Sequence, residues 1–377
     1  MKKILFLAQL PPPVHGASIA NKILIDSSLI SEHYEIRHID ISAAGKIEDI
    51  GKFSLGKLPG IARTILSIVR NLFNFRPHIV YLSLSPSGFA FYRDVVYVHI
   101  IRLFRPELVF HLHGKGLRRS AEKSRLFRRL SKNIFKNSHV VFLSERLRSD
   151  AAGLSYKSSY VVNYGFPAGV APGPVAAGSP PPRAAQDGNK AVEILYLSNY
   201  VRTKGVLDLV DALEIVSHSH SQFSVSLAGK PYDISLEFLK DYVREKGLAD
   251  RVRVCGPKYD GEKVELLENA DIFVLPTYYE NEAFPLSILE AMKFGLPVIS
   301  TYEGGIPDMI TDGVDGRLSP GRDIAALARQ IEYLLDHPEE RRSLGEAARR
   351  KFLERFTVAT FERNMLQVFE RICPPEP

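Results

Sequence analysis

Short apolar runs alternate along this chain with longer stretches whose apolar positions recur every three to four residues. The short runs fall at 4–10, 79–84, 108–112 and 140–143, then at 193–197, 224–228, 252–255, 272–275 and 298–300. Their length and aliphatic content suit strands covered on both faces. Stretches such as 206–216, 236–246, 286–294 and 324–335 carry the helical period instead. The alternation predicts an α/β chain of parallel sheets covered by helices, built twice over. Ligands of such sheets bind beyond the carboxyl ends of the strands, so two facing domains would enclose a central cleft. No repeat of short fixed period is present.

The pattern breaks at 168–190, which is dense in Pro, Gly and Ala and has no apolar period. It reads as a linker between a domain at 1–167 and another at 191–356. The length of 377 residues favours two domains of ordinary size, and the composition, 45% hydrophobic and 24% charged, is that of a globular protein. The opening Met1-Lys2-Lys3-Ile4-Leu5-Phe6-Leu7 imitates a signal peptide. Its apolar stretch is short and stops at Pro11-Pro12-Pro13 without a small-residue cleavage site, so it reads as a first buried strand. No apolar run reaches membrane-spanning length. Cys255 and Cys373 are the only cysteines, which excludes a disulfide framework or a cysteine metal site and gives a cytoplasmic location as the default.

Charge separates the halves. Residues 1–167 hold 25 Lys and Arg against 11 Asp and Glu, a formal +14, and the rest holds 24 against 32, a formal −8. The basic half suggests an anionic partner surface. Residues 115–136 concentrate nine cations around one acid, Glu122, with Leu126, Phe127, Leu130 and Ile134 at helical spacing. This is read as one basic amphipathic helix. It suits an anionic membrane face and equally an ordinary surface helix with its stripe in the core. The amphipathic stretch at 58–73, with Arg63 and Arg70, has the same two readings. A nucleic-acid face fits less well, because interleaved aromatic residues and a nucleic-acid module are missing.

Candidate chemistry gathers in Glu282-Ala283-Phe284-Pro285-Leu286-Ser287-Ile288-Leu289-Glu290. Glu282 closes a loop after an apolar strand, and Glu290 lies within the next helix. Pro285 suits the first turn of that helix, whose open N–H groups form a seat for a phosphate. Lys204, with Arg202, lies in a strand-to-helix turn where a cation can neutralise a diphosphate. Each of these alone also reads as an ordinary surface or helix residue. His111 and His113 alternate onto one face of the strand at 108–112, with His113 at its carboxyl end. Gly16, after the first strand, would let a backbone approach a ligand closely. The Gly-x-Gly-x-x-Gly fingerprint is absent there, which argues against a dinucleotide-dependent dehydrogenase. Asp271, Asp308 and Asp312 are scattered and give no metal-dependent sugar-nucleotide site.

These residues carry a family resemblance. The chain resembles the retaining glycosyltransferases of the GT-B class, family 4, in which two Rossmann-like domains face a central cleft. The likeness rests on Glu282-x7-Glu290, Gly295-Leu296-Pro297-Val298-Ile299, Gly304-Gly305-Ile306-Pro307-Asp308 and Asp312-Gly313-Val314-Asp315-Gly316, with Lys204-Gly205 and Gly16 fitting the same pattern. It implies a donor domain at 191–356 and an acceptor domain at 1–167, onto which a helix within 357–377 packs back. Glu290 would bind the donor ribose and Glu282 the hydroxyls of the transferred sugar. Lys204 would hold the diphosphate together with backbone around Phe284, Pro285 and Leu286, and Gly16 would approach it. His113 would be the active-site histidine. Ser198-Asn199 stands where such enzymes carry Gly-Arg, so Arg202 is the expected substitute, and Asp308 replaces the usual Glu.

The expected activity is transfer of a sugar from a nucleoside diphosphate sugar to an acceptor hydroxyl with retention. No metal or cofactor is expected. The implied acceptor is a glycan or lipid-linked acceptor, in surface polysaccharide or glycolipid synthesis at the cytoplasmic face of an anionic membrane. Alternatives are a non-catalytic sugar-nucleotide or glycan-binding protein and a soluble-sugar synthase or phosphorylase of the same fold.

Overall fold

A computed structural model of the chain describes residues 1–12, 14–42, 58–167 and 191–374. The expected linker, 168–190, lies outside them. The chain divides into two compact units. Unit 1 is Met1–Gly165 with Val358–Pro377, and unit 2 is Phe166–Thr357.

Unit 1 is built on six parallel strands: β1 (Lys2–Ala8), β2 (Tyr34–Asp40), β3 (Ile79–Leu84), β4 (Glu107–Leu112), β5 (His139–Phe142) and β6 (Ser158–Val161). Their order is β2-β1-β3-β4-β5-β6. In β1, Ile4 to Ala8 are wholly buried, as expected of a central strand. β2 and β6 had no apolar run to announce them. β2 exposes Arg37 and Asp40, and β6 is half-buried along its length, as edge strands are. The described helices before unit 2 are α1 (Gly16–Ile25), α2 (Ser28–Ser31), α3 (Leu58–Asn74), α4 (Gly88–Arg102), α5 (Leu117–Lys123) and α6 (Arg125–Phe135).

The single basic helix expected over 115–136 is in fact α5 and α6. Ser124 separates them in extended conformation and caps α6 by accepting the Phe127 N–H. Most of the stripe faces the core: Phe127 and Ile134 are buried, whereas Leu126 is exposed.

Unit 2 repeats the plan with β7 (Val192–Leu197), β8 (Phe223–Ala228), β9 (Val252–Gly256), β10 (Ile272–Val274), β11 (Val298–Thr301) and β12 (Gly316–Ser319), all parallel, in the order β12-β11-β10-β7-β8-β9. Its helices are α7 (Val206–Ser217), α8 (Leu236–Glu245), α9 (Asp260–Asn269), α10 (Leu286–Lys293), α11 (Ile306–Met309), α12 (Ile324–Asp336) and α13 (Pro338–Arg355). The last helix, α14 (Val358–Ile372), belongs to unit 1. There Phe369 lies edge-on to Phe6, and the Tyr34 hydroxyl donates to the Cys373 carbonyl at 2.8 Å.

Candidate functional site

In unit 2 the turn after β7 passes through Ser198-Asn199 and one 3-10 turn, Arg202–Lys204, before Gly205 opens α7. Gly205 has φ of +79°, and a Cβ there would stand 2.3 Å from the Pro276 carbonyl oxygen. Only glycine lets this turn lie against the loop after β10. That proximity brings Lys204 to Glu282. The two form an ion pair, Glu282 also accepts from the Thr277 hydroxyl at 3.3 Å, and the carboxylate is only 6% exposed. The Tyr279 ring centroid lies 5.2 Å from the ammonium.

The Gly304-Gly305 pair holds the backbone of this loop. A Cβ on Gly304, at φ +55°, would come within 2.1 Å of the Glu282 carbonyl oxygen, and the Gly305 N–H donates to Ala283 at 2.8 Å. Pro285 is the N-cap of α10, with ψ of 118°, one step outside the first turn where it was expected. No side chain caps α10, so nothing of that kind competes for its first-turn N–H groups. Phe284 is buried, its ring 5.9 Å from that of Phe356, so only its backbone suits a ligand.

Glu290 lies just over one turn along α10 and is 8% exposed. Its partner is Lys263 of α9, at 2.5 Å. Sequence reasoning did not find Lys263, because a lysine in a polar helix carries no signal of its own. Lys293 is buried beside them. Burial holds its pKa below the ordinary lysine value against the pull of Glu290, and Lys263 pushes the same way as burial. Arg202 is exposed. Its N–H donates to Asp233 at 2.9 Å, and its charge is felt by Asp208 and Tyr278. Lys204 and Glu282 are thus brought into contact, and Arg202 makes no described contact with either.

Unit 1 gathers a different set on and just beyond its strands. His15 caps α1: its Nδ1 accepts the Ser18 N–H at 3.3 Å, and Ser18 Oγ accepts the His15 N–H at 3.0 Å. Gly16 is the first residue of α1. On β3 and β4, the Tyr81 hydroxyl meets His111 Nδ1 at 2.8 Å, His113 Nε2 at 3.3 Å and Asn21 Oδ1 at 2.9 Å. His113 Nδ1 meets the Tyr164 hydroxyl at 2.8 Å. Burial lowers the pKa of His111 to about 3. It holds His113 well below its ordinary value, helped by His111 and His15, and it lowers His15. At neutral pH all three imidazoles are uncharged.

Residues 183–351 match the family model for "Glycosyl transferases group 1". Among curated proteins, the chain is 30% identical over 177 residues to a glycogen synthase of Mycobacterium tuberculosis, covering 47% of this chain and 42% of that protein. It is 29% identical over 189 residues to the amylovoran biosynthesis glycosyltransferase AmsK of Erwinia amylovora, covering 49% and 46%. The chain therefore spans less than half the length of these relatives. Among solved structures, it superposes on a sucrose-phosphate synthase from Thermosynechococcus elongatus with a TM-score of 0.74 at 18% identity, covering 99% of both chains. It superposes on Anabaena Alr3699/HepE in complex with UDP with a TM-score of 0.73 at 20% identity, covering 98% of this chain and 100% of that one. The fold is GT-B, two Rossmann-like units. Residues 183–351, a little under half of the chain, are thus similar to the group 1 glycosyl transferases.

Proposed function

We propose that the protein transfers a sugar from a nucleoside diphosphate sugar to an acceptor hydroxyl, with retention at the anomeric carbon. The carrying observation is the Lys204–Glu282 pair beside the uncapped start of α10, with Glu290 further along the same helix. A buried carboxylate facing a lysine is suited to exchange partners with a ligand. The ammonium and the α10 N–H groups can turn to a diphosphate, which frees Glu282 to accept hydrogen bonds from sugar hydroxyls. Glu290, held by Lys263, is the acceptor for the ribose hydroxyls.

As the glycosidic bond breaks, negative charge grows on the leaving diphosphate, where Lys204 and the helix dipole stabilise it. Glu282 and Glu290 are one donor-binding set, unlike the paired carboxylates of a glycosidase. The leaving phosphate takes the acceptor proton. No metal enters this reading. A relative active in amylovoran biosynthesis supports a glycan acceptor.

A peripheral place on an anionic membrane is supported by unit 1. No helix among the described residues is long and apolar enough to cross a membrane. In unit 1, α3 packs on α4 and α4 on α6. Leu66, Phe73, Val96, Leu103 and Leu126 stand exposed on or beside these helices. Arg63, Arg70, Arg125, Arg128, Arg129 and Lys132 are exposed there too, and the single acid of the three helices, Asp94, is buried against Arg93. Apolar side chains among unopposed cations suit a headgroup boundary.

The test is thermal unfolding of the full chain with a panel of nucleoside diphosphate sugars, followed by turnover with the stabilising donor. A rise in Tm for one donor is the expected outcome, because a ligand that binds only the folded state stabilises it. If no member of the panel raises Tm at saturating concentration, the reading fails.

A further inference from the structure

The unit 1 cluster fixes its own proton positions. Asn21 is wholly buried, and its Nδ2 donates to the Gln9 carbonyl at 3.2 Å, a group that can only accept. Its Oδ1 therefore faces Tyr81 at 2.9 Å and takes the one phenolic proton. With that proton committed, the Tyr81 oxygen can only accept from the two imidazole nitrogens that approach it. These are His111 Nδ1 at 2.8 Å and His113 Nε2 at 3.3 Å. Both must carry hydrogen. One imidazole nitrogen remains bare on each ring. That of His113, Nδ1, is satisfied by the Tyr164 hydroxyl at 2.8 Å. That of His111, Nε2, is buried without a partner, which is a cost the rest of the network sustains.

We propose that Asn21 and Tyr81 are positioning residues that lock His113 in its Nε2–H tautomer, so that it meets a ligand as a hydrogen-bond donor and never as a base. The inference rests on the reading of His113 as a ligand-facing group. The Nε2–H contact to Tyr81 is the longest in the network, and Tyr81 keeps His111 as a closer donor. A ligand oxygen can therefore draw the His113 N–H away without leaving Tyr81 unsatisfied. The lone pair on Nδ1 stays occupied by Tyr164. Low pKa values of both histidines keep the rings uncharged while this happens.

The experiment is two-bond proton–nitrogen correlation NMR on the full chain labelled with ¹⁵N-histidine, with His113 assigned by a His113→Gln variant. At pH 7, the His113 Nε2 resonance is expected in the protonated range and Nδ1 in the unprotonated range. Asn21→Leu frees the phenolic proton to turn toward an imidazole nitrogen, and a second tautomer of His111 or His113 should appear. An unchanged circular dichroism spectrum and Tm close to wild type guard against a loss of folding in the leucine variant. An Nδ1–H or doubly protonated His113 overturns the proposal, as does an Asn21→Leu spectrum identical to wild type. With the donor found by thermal shift, Asn21→Leu should lower kcat about tenfold with KM little changed. Unchanged turnover alongside a shifted tautomer would make the network structural only. Absence of turnover in the wild-type chain would instead sink the transferase reading and leave the NMR result standing.

Discussion

Around the strand ends of unit 1, the polar groups are neutral: two uncharged histidines, two tyrosines and an asparagine share protons along a fixed path. Beyond those of unit 2 they are ionised, with Lys204 on Glu282 and Lys263 on Glu290. The contrast follows from burial. An imidazole loses its charge at little cost when desolvated, whereas a lysine and a carboxylate can keep theirs by facing each other. A neutral network fixes which nitrogen carries each proton. An ion pair waits for a better partner, and a diphosphate is such a partner for a lysine. On the proposed function, the ionised set of unit 2 is the exchangeable one, whereas the neutral set of unit 1 fixes proton positions.

The largest effect should come from breaking the exchangeable set. Glu282→Gln keeps the shape and removes the charge, and turnover should fall about 100-fold or more while the circular dichroism spectrum is unchanged. Near-wild-type turnover would remove Glu282 from the site. Next in size is Gly304→Ala. Its Cβ would strike the Glu282 carbonyl in a left-handed conformation, so Tm should drop with a destabilisation of about 1–3 kcal/mol. Donor affinity should fall with it, whereas Gly153→Ala, left-handed but in open space, should lower Tm and leave affinity intact.

The neutral set sharpens the comparison through pH. His111 has a folded pKa of about 3 against 6.5 when unfolded, so the unfolded chain binds the extra proton between those values. Stability contributed by the neutral ring is complete above pH 6.5 and is lost as pH falls toward 3. The slope is about 1.4 kcal/mol per pH unit for this one group. Urea unfolding of His111→Asn should show a shallower pH dependence over that window. The smallest effect belongs to the basic helices. Arg63→Glu with Arg70→Glu should weaken sedimentation with anionic liposomes at low salt and leave binding at high salt, already screened, nearly unchanged.

The strands of both sheet centres were legible because runs such as 79–84 are apolar throughout. The edges β2 and β6 were not, because half-buried strands alternate with charge or hydroxyls and look like loops. Of the candidate residues, Lys204 and Glu282, which the structure pairs, were legible as a set with Glu290 because a glycine turn and a proline-led helix mark the loops that carry them. Lys263 was invisible, since its role comes only from α9 lying beside α10. The Asn21–Tyr81–His113 path joins residues 60 and 32 positions apart and has no local signature at all. Ser124, a cap inside a run of cations, turned one expected helix into two because the cations masked the hydroxyl.

The placement of α14 has a consequence for how the protein is made. Phe369 sits edge-on to Phe6, and Tyr34 is tied to Cys373, so β1 is covered by residues synthesised only after the whole of unit 2. Unit 2 has every residue it needs once Thr357 has emerged. Unit 1, although synthesised first, completes its core last. Until α14 has emerged, the apolar flank of β1 stays open to chaperones, and a chain stalled before it would carry a finished unit 2 and an unfinished unit 1.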